Sequence, residues 1–77
     1  MDINNKVYKV LANVFHVKQD TINETTTMSD VGDWNSLSHM ELILSLEKEF
    51  DIQFTNDEIV ELIDVSAIIK TIKEKVS

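Results

Sequence analysis

The segment DVGDWNSLSHM, residues 30–40, holds the side chains whose types and spacing bear most directly on chemistry. Ser36 is a hydroxyl nucleophile, His39 a base three residues on, and Asp33 a carboxylate three residues back. The trio has the composition of an acyl-transfer triad. Yet i, i+3 neighbours on a surface helix leave the reaction open to water, and no glycine-rich elbow or oxyanion loop accompanies them. A different use fits the spacing better. Gly32 permits a turn, and Asp33, Asn35, Ser36 and Ser38 are all cap-type residues, so Ser36 sits where loop becomes helix. A phosphate joined to its hydroxyl would lie beside unpaired helix N–H donors and the positive end of the helix dipole. The plain alternative is a serine that caps a helix and does nothing else.

Metal chemistry finds less support. From Asp51, DIQFTNDEIVEL starts like a calcium loop. It has Asn56 where a glycine is needed and Leu62 where a bidentate Glu belongs. Two histidines far apart and no cysteine argue against a zinc site. The missing cysteine also means that the polypeptide brings no thiol or disulfide of its own.

Charge narrows the partners. Seven Lys and no Arg stand against seven Asp and seven Glu, a net charge of −7. Such a chain repels nucleic acid and anionic membranes, whose binding rests on cationic side chains, and attracts basic protein surfaces. The acid is concentrated in residues 36–64, with eight carboxylates against Lys48, whereas residues 65–77 carry three Lys against Glu74. The middle of the chain is therefore the expected docking region. No apolar run approaches the ~20 residues of a membrane span, and the start, MDINNKVYKV, lacks a signal-peptide apolar core. A cytoplasmic protein is expected.

The elements that must position Ser36 are helices. Seventy-seven residues make one domain with a small core, and strand signals are poor. Ile3, Val7, Val10, Leu11 and Val14 form one stripe of a first helix, with Tyr8 and Phe15 beside it. Leu42, Ile43, Leu46 and Phe50 form the inward stripe of a second, over 36–50. Ile59, Leu62 and Ile63 serve a short third, about 56–62, and Val65, Ile68, Ile69, Ile72 and Val76 a fourth. Ser38 with Glu41, and Thr55 with Glu58, have capping-box spacing, while Asp64 or Ser66 can cap the last helix. Residues 17–34 lack a helical stripe and form a long loop, pinned to the core by Ile22, Met28 and Val31. The expected fold is an all-α four-helix bundle with that long first loop and a short third helix.

Once the second helix has used its inward stripe, Leu37, Met40 and Leu44 are left pointing elsewhere, among Glu41, Glu47 and Lys48. Apolar residues ringed by acids on an exposed helix face suggest a docking surface; the plain alternatives are that the bundle wraps the helix more fully or that exposed leucines are ordinary.

DWNSLSHMELILSLEKEFDIQF, residues 33–54, resembles the carrier helix of acyl carrier proteins. The similarity includes the serine followed by leucine, Glu41, and LEKEF ending at Phe50, and extends more loosely over nearly the whole chain. The resemblance implies a carrier rather than an enzyme. A phosphopantetheinyl transferase would move 4′-phosphopantetheine from coenzyme A onto Ser36 through a phosphodiester, and the terminal thiol would carry acyl groups as thioesters. Its partners would be that transferase and acyl-transferring or acyl-modifying enzymes with basic docking surfaces. The family's partner-facing residues map onto Asn35, Leu37, Met40, Glu41, Leu44 and Glu47. A monomer is expected. The family pattern places Asp before the serine, where it helps dock the transferase; this chain has Asn35, similar in shape but uncharged. Trp34 and His39 resemble a variant seen in carriers outside housekeeping fatty-acid synthesis, such as those of polyketide, peptide or surface-glycan acylation. The competing reading is an unmodified acidic helical module that keeps the docking face and lacks the arm.

Overall fold

In the computed structural model, which describes residues 2–76, four α-helices pack around one hydrophobic core. They are α1 (Ile3–Phe15), α2 (Ser36–Phe50), α3 (Asn56–Glu61) and α4 (Val65–Val76). The all-α bundle expected from periodicity is the fold observed. Helix α1 packs on both α2 and α4.

Each helix starts where local chemistry permits. Asp2 caps α1 by accepting the N–H of Asn5, and Thr55 and Glu58 form the anticipated capping box of α3. Asp64 Oδ1 accepts the N–H of Ala67 at 2.7 Å, which decides between the two caps considered for α4. At α2 the capping box is displaced. Asn35 rather than Ser38 is the N-cap, and its N3 partner is Ser38 rather than Glu41. The reason is that Asn35 has extended backbone while Ser38 is already helical, and only an extended residue aims its side chain back at the first N–H groups.

Helices α1 and α2 end at His16 and Asp51, both left-handed, with φ of 57° and 54°. Neither is a glycine, so each exit carries a Cβ penalty.

The core consists of Val7, Val10, Leu11 and Phe15 from α1, Leu42, Ile43 and Leu46 from α2, and Val65, Ile68, Ile69 and Ile72 from α4, joined by Ile22, Trp34, Phe54 and Leu62. Three details of the expected stripes are corrected, the first being that Val76, the last residue of α4, is exposed rather than inward-facing, because the helix end runs past the core. Phe15 is fully buried and Val14 only partly, so the buried stripe of α1 includes Phe15 and leaves Val14 at its margin. Ile63 is half exposed, because α3 has ended by Leu62, which takes the inward place.

The long loop is tied down throughout. It contains two 3₁₀ turns, Gln19–Thr21 and Met28–Asp30, and buries Ile22, Thr26 and Trp34. Its backbone also pairs with the α3–α4 connection. The Met28 N–H donates to the Ile63 carbonyl at 2.8 Å, and the Val65 N–H to the Thr26 carbonyl at 2.9 Å. Met28 and Val31 pack against the core as expected; the buried Trp34 is an anchor that the sequence reading did not place there.

Candidate functional site

Ser36 is the first residue of α2 and is exposed. Everything around it is engaged. Asn35 Oδ1 accepts the N–H groups of Leu37 and Ser38 at 3.0 and 3.1 Å, and Ser38 Oγ accepts the Asn35 N–H at 2.8 Å. Ser38 Oγ donates in turn to the Asp33 carbonyl. Among the described residues, neither the Ser36 hydroxyl nor its backbone N–H makes a hydrogen bond within the protein. The expectation of several free N–H groups is therefore corrected: Asn35 takes two of them, because its oxygen sits in the capping position. A phosphate on Ser36 would meet the Ser36 N–H and the positive end of a 15-residue helix. An exposed, unpartnered hydroxyl in that setting fits attachment of an anionic group.

The triad reading fails on geometry. His39 Nδ1 lies 3.0 Å from Trp34 Nε1, and His39 Nε2 lies 2.8 Å from the Ile59 carbonyl oxygen. The indole can only donate and the carbonyl can only accept, so Nδ1 accepts and Nε2 carries the proton. Both ring nitrogens are committed, and neither is available to take a proton from Ser36. His39 packs at the edge of α2 against the loop through Trp34 and reaches α3 through Ile59. The Trp34 indole stacks on Phe15, with ring centroids 5.2 Å apart.

The residues expected to form a docking face divide. Leu37 is 77% exposed, Leu44 63% and Met40 46%, with Glu41 exposed among them. At spacings of three and four these residues share one outward face of α2. Glu47 differs: it is half-buried, and its carboxylate accepts the Phe54 N–H at 2.9 Å, holding the α2–α3 connection. Asn35 is the cap described above. Two further apolar residues, Val60 at 74% and Ile63 at 51%, stand exposed on α3 and just after it, next to the exposed Asp57 and Glu61. A signal for them existed: IVELI, residues 59–63, carries more apolar side chains than a six-residue helix can turn inward.

Residues 5–72 match the family described as "phosphopantetheine attachment site". The chain belongs to the acyl carrier protein family. The acyl carrier protein of Chlorobium phaeobacteroides is 33% identical over 73 residues, 95% of this chain and 94% of that relative. That of Buchnera aphidicola is 32% identical over 75 residues, 96% and 92% of the two chains. Among solved structures, holo acyl carrier protein from Geobacter metallireducens superposes with a TM-score of 0.87 at 29% identity, covering 99% of this chain and 87% of that one. This chain is thus a carrier of acyl groups whose cofactor is 4′-phosphopantetheine, and the unmodified-module alternative is not favoured. The family consists of carriers, not catalysts, and works with enzymes of acyl metabolism. Among the described residues, no helix is long and apolar enough to cross a membrane.

Proposed function

We propose that the chain acts as a single carrier domain whose attachment point is the Ser36 hydroxyl. The observation that carries this reading is the state of that oxygen: exposed, without a partner in the protein, and at the first position of α2. Its neighbours on both sides are fixed by the Asn35–Ser38 box and by the buried Trp34, so a transferase meets a nucleophile held by rigid backbone. In loading, the Ser36 Oγ–P bond forms as a pyrophosphate P–O bond of coenzyme A breaks. Adenosine bisphosphate leaves, and the hydroxyl proton passes to a base of the transferase. Once bound, the group supplies the thiol that this cysteine-free chain lacks and so holds acyl groups as thioesters. Ser36 N–H and the α2 dipole steady the phosphodiester charge. His39, committed to Trp34 and Ile59, contributes no catalytic group.

Leu37, Met40, Glu41 and Leu44 form the centre of the docking face, with Asn35 at its edge. Glu47 adds charge from a position where it also holds the chain turn. Partners of complementary surface place an apolar patch there with a basic rim: a phosphopantetheinyl transferase, then acyl-transferring and acyl-modifying enzymes. The pairs are solvent-exposed and individually weak, which suits a carrier that must visit and leave several enzymes. The acidic surface supports a monomer that binds neither nucleic acid nor membrane. A cytoplasmic setting keeps a pantetheine thiol reduced. Fatty-acid, polyketide and related acyl pathways all use this chemistry, and Trp34 with His39 supports a specialised one.

Incubation with coenzyme A, Mg²⁺ and a broad-specificity transferase tests the reading by intact mass. Wild type gains one phosphopantetheine. Ser36→Ala gains none while keeping its helical circular dichroism. No gain by folded wild type, when an authentic carrier loads in parallel, defeats the proposal.

A further inference from the structure

We propose that His39 is a positioning residue: by tying the last turn of α3 to the start of α2, it sets the surface that a transferase reads when it loads Ser36. The inference rests on Ser36 being the attachment point.

Helix α3 has six residues, none of them fully buried, far below the ~12–15 at which an isolated helix becomes even marginal in water. It must be held from outside. Its first half has the Thr55–Glu58 capping box and the 2.8 Å ion pair from Glu58 to Lys75 of α4. Its second half has the buried Leu62 below it and His39 Nε2 donating to the Ile59 carbonyl. Among the described residues this is the only side-chain hydrogen bond made to residues 59–61, and it comes from the helix that begins at Ser36. The same ring accepts the indole N–H of Trp34, two residues before Ser36, so one imidazole ties three segments. Val60 and Ile63, exposed and apolar, ride on the turn that His39 holds. Without the tie, α2 keeps its own docking residues, but the α3 part of the surface is no longer fixed relative to them, and a partner must order it on binding.

Paired substitutions separate the two arms. His39→Gln keeps an N–H donor near the Nε2 position and loses the acceptor for Trp34. His39→Asn keeps an acceptor near Nδ1 and loses the reach to Ile59. His39→Ala loses both. Amide and indole hydrogen exchange is read by NMR on the unloaded proteins. In His39→Ala, the Ile59 and Leu62 amides should exchange roughly 2- to 10-fold faster relative to α1, the scale of one lost hydrogen bond. His39→Gln should restore α3 but leave the indole N–H fast, and His39→Asn the reverse. In transferase kinetics, KM for the carrier should rise roughly 2- to 10-fold in His39→Ala with kcat little changed, and His39→Gln should recover most of it. Unchanged α3 exchange in His39→Ala overturns the proposal, as does a KM that rises equally in the Ala and Gln variants. If wild type itself does not load, the Ser36 reading fails while exchange still decides whether the tie exists. If His39→Ala does not fold, the Gln and Asn variants decide.

Discussion

A single side chain decides how α2 begins. Asn35 accepts two N–H groups that would otherwise face water, so Asn35→Ala should cost about 1 kcal/mol. In a domain of this size that lowers the melting temperature by roughly 4–8 °C. Asn35→Asp keeps the acceptor and adds a negative charge at the positive end of α2, and should gain about 0.3–1 kcal/mol in low salt. It should also speed loading by a given transferase, since the family pattern has Asp there. Urea titration and initial loading rates check the two halves, and equal loading rates for the two proteins would show that the charge is not read. That Ser36 next door stands at the loop–helix junction was legible from the turn glycine and the cap-type residues before an apolar stripe, whereas its role as attachment point comes from the family resemblance. Ser38 as the reciprocal partner of Asn35 was not legible, because capping depends on which of several polar residues has extended backbone, and the segment offered four.

At the scale of elements, helix ends hold both strain and charge. Asp51 sits left-handed at the C-terminus of α2, where its Cβ and its negative charge are both unfavourable. Asp51→Gly should therefore stabilise the bundle by about 0.5–1 kcal/mol, seen as a higher urea midpoint with unchanged slope; a lower midpoint would mean that the carboxylate has a partner role. Helix α3 shows the opposite case, a charge well placed. The Lys75 ammonium, followed by the Thr55 N–H, holds the Glu58 carboxyl below its ordinary value. A depressed carboxyl stabilises the fold above its unfolded pKa, and the contribution is lost as pH falls through its folded one. The stability difference between wild type and Glu58→Gln should thus be present at pH 7 and shrink on acidification below about pH 4. A pH-independent difference would assign the effect to packing. The extents of α2 and α3 and the capping box of α3 were readable from periodicity and cap spacing, which are local. Ile63 was misplaced because a six-residue helix shows too little of a period to reveal where it stops.

For the molecule as a whole, the contrast between two leucines of α2 measures how burial divides structure from recognition. Leu46 is fully buried and Leu44 is 63% exposed. Leu46→Ala should cost about 2–5 kcal/mol, a large share of the roughly 4–12 kcal/mol available to a chain of this length. Leu44→Ala should stay within about 0.5 kcal/mol while weakening partner binding. Urea unfolding followed by the fluorescence of Trp34, the lone tryptophan, reports both, and comparable losses would place Leu44 in the core. Sequence alone determined the helical class, most of the apolar stripes of the three longer helices, the acidic middle of the chain and the serine at the loop–helix junction. Each of these is a matter of period, composition or nearest neighbours. Only the tertiary structure decided the rest. It buried Trp34 on Phe15, drew the long loop against the α3–α4 connection, turned Glu47 toward Phe54 and aimed His39 at Ile59. Those contacts join residues distant along the chain, and their partners are selected by how the helices pack.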